Sequence, residues 1–214
     1  MTDPSGDPPA PARNSRQDAV NALKRGLILD AARRVFEAEG LEGASIRAIA
    51  AAAGYTAGAI YFHFPSKEAI YAALLEESLD RLNAAVGQAV AAAERPRDRL
   101  RAAALAFFGF YARNPRDLDL GFYLFRGGLQ PRGLSAALDT ALNDKLAAAL
   151  APIGAALREA GLDEAAARAA TADCFGHAVG LLTLQHTGRI RMFGCSAEAL
   201  MRGHVETLAG RLFG

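Results

Sequence analysis

Apolar residues recur at intervals of three and four along almost the whole chain, and no convincing run alternates at period two, so the pattern predicts helices and no strands. A first stripe, Leu27, Ile28, Ala31, Ala32, Val35 and Phe36, stops at Glu39-Gly40, where glycine supplies a stop signal. Two short helices follow within residues 45–64, and Pro65 ends the second of them. Ile70, Leu74, Leu75, Leu79, Leu82 and Val86 then form the inner stripe of a long helix that ends before Pro96. Further helices are expected over 100–114, 118–125, 134–161 with a bend near Pro152-Ile153-Gly154, 163 to about 186, and 196–212. About nine helices in an all-α fold is the result.

The stretch from Ser45 to Lys67 is the most specific. Two helices crossing steeply over a turn of three or four residues bring their backbones close, so the corner accepts only small side chains. Ala50 is small, and Gly54, four positions on, takes the positive φ that ends a helix. Ser45 and Thr56 stand where N-caps are needed, and Ser66 with Glu68 suits the start of the next helix. Helical spacing turns Ile46, Ile49, Ala53, Ile60 and Phe64 inward and leaves Arg47, Ala57, Gly58, Ala59 and Phe62 outward. That is the layout of a helix-turn-helix that reads DNA.

Composition narrows the alternatives. The formal net charge is only +1, so DNA binding has to rest on a local surface, and between residues 24 and 67 six basic residues face four acidic ones. The two cysteines, Cys174 and Cys195, lie in no CxxC and have no histidines at metal-ligand spacing, which indicates neither a metal site nor a disulfide framework, and no cofactor is called for. The longest uncharged apolar stretch, 174–188, is shorter than a membrane span, and the amino terminus lacks signal-peptide features, so a cytoplasmic protein without membrane attachment is expected. There is no nucleophile elbow, paired-carboxylate motif or phosphate-binding glycine loop, which argues against an enzyme. Residues 1–22, rich in Pro, Asp, Ser and Ala, read as a disordered tail whose Arg13 and Arg16 are within reach of DNA.

Ser45, Ile49-Ala50, Ala53-Gly54, Thr56, Gly58, Ile60-Tyr61, His63-Phe64 and Ser66-Lys67-Glu68 occur in collinear order, and by them residues 24–75 resemble the DNA-binding domain of the tetracycline-repressor-like (TetR) family of bacterial regulators. The resemblance covers about a quarter of the chain. It implies a three-helix helix-turn-helix domain over 23–69 and a larger helical effector-binding and dimerisation domain over 70–214. It further implies that Thr56, Tyr61, His63 and Lys67 hold phosphates, which positions the protein without reading sequence. Arg47 is then the candidate for bidentate pairing with guanine, Ala57, Gly58 and Ala59 allow close backbone approach and contact with thymine methyls, and Phe62 and DNA shape supply the rest. For His63 the rival role is capping of its own helix, and for Arg47 plain solvation.

In the larger half, Phe107, Phe110, Tyr111, Phe122 and Tyr123 with Arg126 and His177 read either as an apolar effector pocket with polar handles or as solid core. The last two long helices carry small residues beside apolar ones, suited to close packing within the chain or against a copy. The resemblance implies the latter: a homodimer through the two C-terminal helices, binding a palindromic operator as a repressor that a small, largely apolar effector releases. The competing expectation keeps DNA binding and makes the helical half a dimerisation or protein-docking module alone.

Overall fold

The computed structural model describes the backbone of residues 12–126 and 135–213, with the side chains of all of these except 12–15, 41–42 and 122–126. Among the described residues there is no strand, and nine α-helices run in order: α1 Ala12–Gly43, α2 Ile46–Ala53, α3 Ala57–His63, α4 Lys67–Ala91, α5 Pro96–Arg113, α6 Pro115–Arg126, α7 Ala136–Glu159, α8 Glu164–His186 and α9 Ala197–Phe213. A short 3₁₀ helix, Arg189–Phe193, lies between the last two and has no counterpart in the hydrophobic periodicity. The chain divides into two compact units, with the division inside α4 between Ala73 and Leu74.

The amino-terminal segment departs from expectation. Residues 12–22, whose composition predicts a disordered tail, are helical, while 1–11 lie outside the described residues. The reason is cooperative: no proline or glycine interrupts residues 12–25, so the packed part of α1 is extended one hydrogen bond at a time without a new nucleus. The extension is supported locally by a hydrogen bond from Gln17 Nε2 to Asn21 Oδ1 at 3.3 Å. At its other end α1 breaks at Gly40, whose φ of 68° and ψ of 172° are not helical, so the regular helix does stop at the glycine.

In the first unit, α1 packs on α2 and α2 on α3 around Ile28, Ala31, Ala32, Val35, Phe36, Ile49, Ile60 and Phe64, all buried. Leu27, expected inward, is exposed; the stripe is centred one position later, and Leu29 is buried instead. In the second unit α5 is the central helix, packing on α7, α8 and α9, with Leu100, Phe107, Phe108, Phe110 and Tyr111 buried. Pro152 sits inside a continuous α7. Two positions on, Gly154 permits a close approach, because a Cβ there would lie 3.4 Å from Thr171 Oγ1 of α8.

The two C-terminal long helices keep Ala178, Leu181, Val205 and Ala209 buried, yet Ala169, Ala172, Gly176, Gly180, Ala199 and Gly203 are exposed. Between the helices His177 and His204 stack with ring centroids 4.1 Å apart, and neither Nε2 has a hydrogen-bond partner among the described residues. Burial first, and the neighbouring His177 next, hold His204 below the usual histidine range, against the opposing pull of Asp173. A histidine whose folded pKa is depressed stabilises the fold above its unfolded pKa of about 6.5, and that contribution is lost as pH falls through the folded value. Thermal unfolding followed from pH 7.5 to 5 should therefore show a falling midpoint, and His204→Gln should flatten the dependence; equal slopes for both proteins would contradict the assignment.

Candidate nucleic-acid interface

Every corner of the α2–α3 motif is closed by a local hydrogen bond. Ser45 Oγ accepts from Ala48 N at 3.1 Å and Thr56 Oγ1 from Ala59 N at 3.3 Å, so both helices start on side-chain caps. Gly54 adopts φ 71°, and its N–H and that of Tyr55 close the end of α2 on carbonyls of the last turn. Phe64 N–H closes α3 on Ile60 O, and Ser66 Oγ accepts from Ala69 N to open α4.

These caps orient the side chains. Ile49, Ala50, Ile60 and Phe64 face the core, while Arg47, Thr56, Gly58, Tyr61 and Phe62 are exposed and Ala57, Ala59, His63 and Lys67 are half-buried. Tyr61 is 56% and Phe62 78% exposed on a helix of seven residues. Two adjacent aromatic rings left this open form an apolar patch whose solvation is unfavourable, which marks a contact surface. The His63 ring stands edge-on to Phe62, with ring centroids 5.1 Å apart and an interplanar angle of 89°.

The basic residues fall into two groups. Arg25 stacks its guanidinium 4.1 Å over the Phe64 ring and donates to His63 O at 3.4 Å; Arg34 donates to Ala52 O at 3.4 Å. Both arginines of α1 therefore satisfy carbonyls at the ends of α3 and α2, where the helix dipole is negative. Lys67 donates one of its ammonium hydrogens to Ala44 O at 3.1 Å, tying the start of α4 to the residue before the α2 cap. Arg47 makes none of these bracing contacts and is exposed. The bracing roles of Arg25 and Arg34 leave no mark in the sequence, since nothing in helical spacing says which carbonyl a long side chain will reach.

The second unit contains a cavity of about 40 Å³. Phe107 and Tyr111 of α5 line it, together with Leu75 and Leu79 of α4, Leu118 and Gly121 of α6, Leu142, Asn143 and Leu146 of α7, and Phe175 and Val179 of α8. The aliphatic lining carries no sequence signal, because buried leucines look the same whether or not a void adjoins them. Phe110 is buried but does not line the cavity, and His177 is directed instead to its stack with His204. The side chains of Phe122, Tyr123 and Arg126 lie outside the described residues. Burial, with the charge of Asp117 adding to it, pushes the Tyr111 phenol well above its ordinary pKa, so it stays neutral and able to donate. Cys174 is likewise pushed up, to about 11, chiefly by burial, which keeps it an unreactive thiol. No group of three or more potential metal ligands is present among the described residues.

Known proteins are similar to this chain in the sequence of the α1–α4 region and in fold. The sequence profile of the bacterial regulatory proteins of the tetR family matches residues 28–74. The chain is 38% identical over 99 residues to the HTH-type transcriptional activator FasR of Mycolicibacterium smegmatis, covering 46% of this chain and 45% of FasR. It is 38% identical over 88 residues to the HTH-type transcriptional repressor AcnR of Corynebacterium efficiens, covering 41% and 40%. It thus spans less than half the length of these relatives. Among solved structures, a protein of unknown function from Rhodococcus superposes with a TM-score of 0.71 at 24% identity, over 88% of this chain and 95% of that one. The regulator FadR of Bacillus subtilis, in complex with stearoyl-CoA, gives 0.63 at 23%, over 86% and 96%. At these identities the structural likeness speaks for the fold.

Proposed function

The chain belongs to the tetR family of bacterial regulatory proteins, and from that premise we propose that it is a cytoplasmic repressor that binds a palindromic operator as a homodimer and is released by a small, largely apolar effector. The observation that carries the DNA half is the capped α2–α3 motif with Tyr61 and Phe62 exposed on the outward side of α3. Two such helices about 34–36 Å apart meet successive major grooves on one side of a duplex, and a pair of subunits related by a two-fold axis supplies that spacing. The outward stripe of small residues on α8 and α9 supports close packing against a second copy. Thr56, Tyr61, His63 and Lys67 hold phosphates in this reading, Lys67 with an ammonium that its bond to Ala44 O keeps beside the start of α2.

Base reading is assigned to Arg47, with Ala57, Gly58 and Ala59 at the groove floor. Arg47→Ala is expected to relax preference at one base pair per half-site at a cost of about 1–3 kcal/mol for the preferred base. Tyr61→Phe, by removing a phosphate hydrogen bond, should weaken all sequences alike. Competition binding against operators substituted at each position distinguishes these; a sequence-blind loss from Arg47→Ala would remove it from the reading face.

The effector half rests on the cavity. Its almost wholly apolar lining, in which Tyr111 and Asn143 are the residues with polar groups, suits an apolar molecule. At about 40 Å³ it holds only a few water-sized groups, so a larger ligand binds a widened state and biases the protein by its differential affinity for that state. Stearoyl-CoA, bound by FadR of Bacillus subtilis, is the first probe to try. Release of operator together with a raised melting temperature would support the effector reading. The small cavity favours the rival in which the helical unit only dimerises or docks a partner, and that rival predicts no response to any apolar ligand.

A further inference from the structure

We infer that the amino-terminal half of α1, including its extension over 12–22, forms a second DNA-contacting element, in which Gln17, Asn21 and Lys24 bind the phosphodiester backbone beside the groove that α3 enters. The inference rests on the reading of α3 as the DNA-facing helix. Within the first unit an open cleft of about 400 Å³ separates α1 from α3, walled on one side by Gln17, Asn21 and Lys24 and on the other by Ala59, Phe62 and His63. Gln17, Asn21, Lys24 and Ile28 follow one another at intervals of four, three and four, so they share one face of α1, with Ile28 buried at the base. The far wall consists of residues already assigned to the DNA side, which makes the cleft continuous with that surface.

The chemistry of the near wall matches a polyanion. Among the described residues no acidic side chain lines the cleft, and Lys24 brings an ammonium. The bond between Gln17 and Asn21 uses one of the four amide N–H hydrogens of the pair and fixes both side chains on the helix, leaving three donors for acceptors outside the protein. Donors of this kind hold phosphate oxygens and set register, compensating for an α3 whose Ala57, Gly58 and Ala59 offer no side-chain hydrogen bonds. The arrangement exists only because residues 12–22 are helical; an extended chain would not bring Gln17 and Asn21 to one face.

The test uses the full chain, a duplex selected by the wild-type protein, and binding measured from 50 to 300 mM salt. Lys24→Ala should lower the magnitude of the salt slope by about one per half-site, and Lys24→Arg should restore it. Gln17→Ala with Asn21→Ala should weaken binding to every duplex by about tenfold, with the slope and the selected sequence unchanged. Lys24 is half-exposed and Gln17 and its neighbours lie on the surface, so melting temperatures should stay at the wild-type value. Wild-type affinity and slope in both alanine variants, while Arg47→Ala still loses affinity, would overturn this inference and leave the function of α3 standing. Failure of the wild-type protein to bind any duplex would overturn both.

Discussion

Gly176→Arg in α8 is expected to leave each protomer folded, to convert the protein to a monomer, and to lower affinity for a two-half-site operator by about 100-fold or more. A Cβ built at Gly176 meets nothing within 4 Å, so a side chain there is accommodated within the protomer. Removing a helix-interior glycine also contributes up to about 1 kcal/mol of helix stability. In the proposed dimer the same side chain would occupy the space between the two copies of α8, beside the exposed Ala172 and Gly180. The loss of affinity then comes from the loss of bivalency, since one helix-turn-helix unit, or head, binds with only its own contacts. Sedimentation and DNA binding measured together decide the matter, because a variant that remains dimeric would remove α8 from the proposed interface.

The second large effect is expected in the head. Phe64 is 2% exposed, closes α3 with its backbone N–H and carries the Arg25 guanidinium on its ring. Phe64→Ala should cost about 3–5 kcal/mol, a large part of what stabilises a unit this small. DNA binding should disappear and amide protection should be lost through α2 and α3, with protection in α5 and α8 retained. Phe64→Leu, which keeps most of the volume, should recover much of both. Uniform loss of protection over the whole chain would show instead that the two units unfold as one.

The head is legible in its amino-acid sequence because the residues that shape it act locally. Ser45 and Thr56 cap, Gly54 takes its positive φ, and Pro65 stops a helix, each acting on neighbours a few positions away. The long-helix stripes are equally plain, since buried leucine, isoleucine and valine recur at helical spacing. Contacts between distant positions carry no such signal. Arg25 reaches a carbonyl 38 residues along the chain, and Asn83 of α4 donates to Lys145 O, 62 residues on. His177, a candidate pocket residue by its sequence position, stacks on His204, because an apolar helix face does not reveal which neighbouring helix it meets. The extension of α1 is hidden for a different reason: composition measures how much a segment can bury, whereas this segment borrows its nucleus from the packed helix that follows.

The most direct test of the central claim is selection from random duplex DNA by the purified protein at fixed salt near 150 mM, followed by sequencing of the bound pool. A palindrome whose half-sites are centred about one helical turn apart is the expected result. Enrichment of a single, non-repeated site would contradict the dimer, and a pool with no enrichment at all would contradict the assignment of α3 as a reader of DNA.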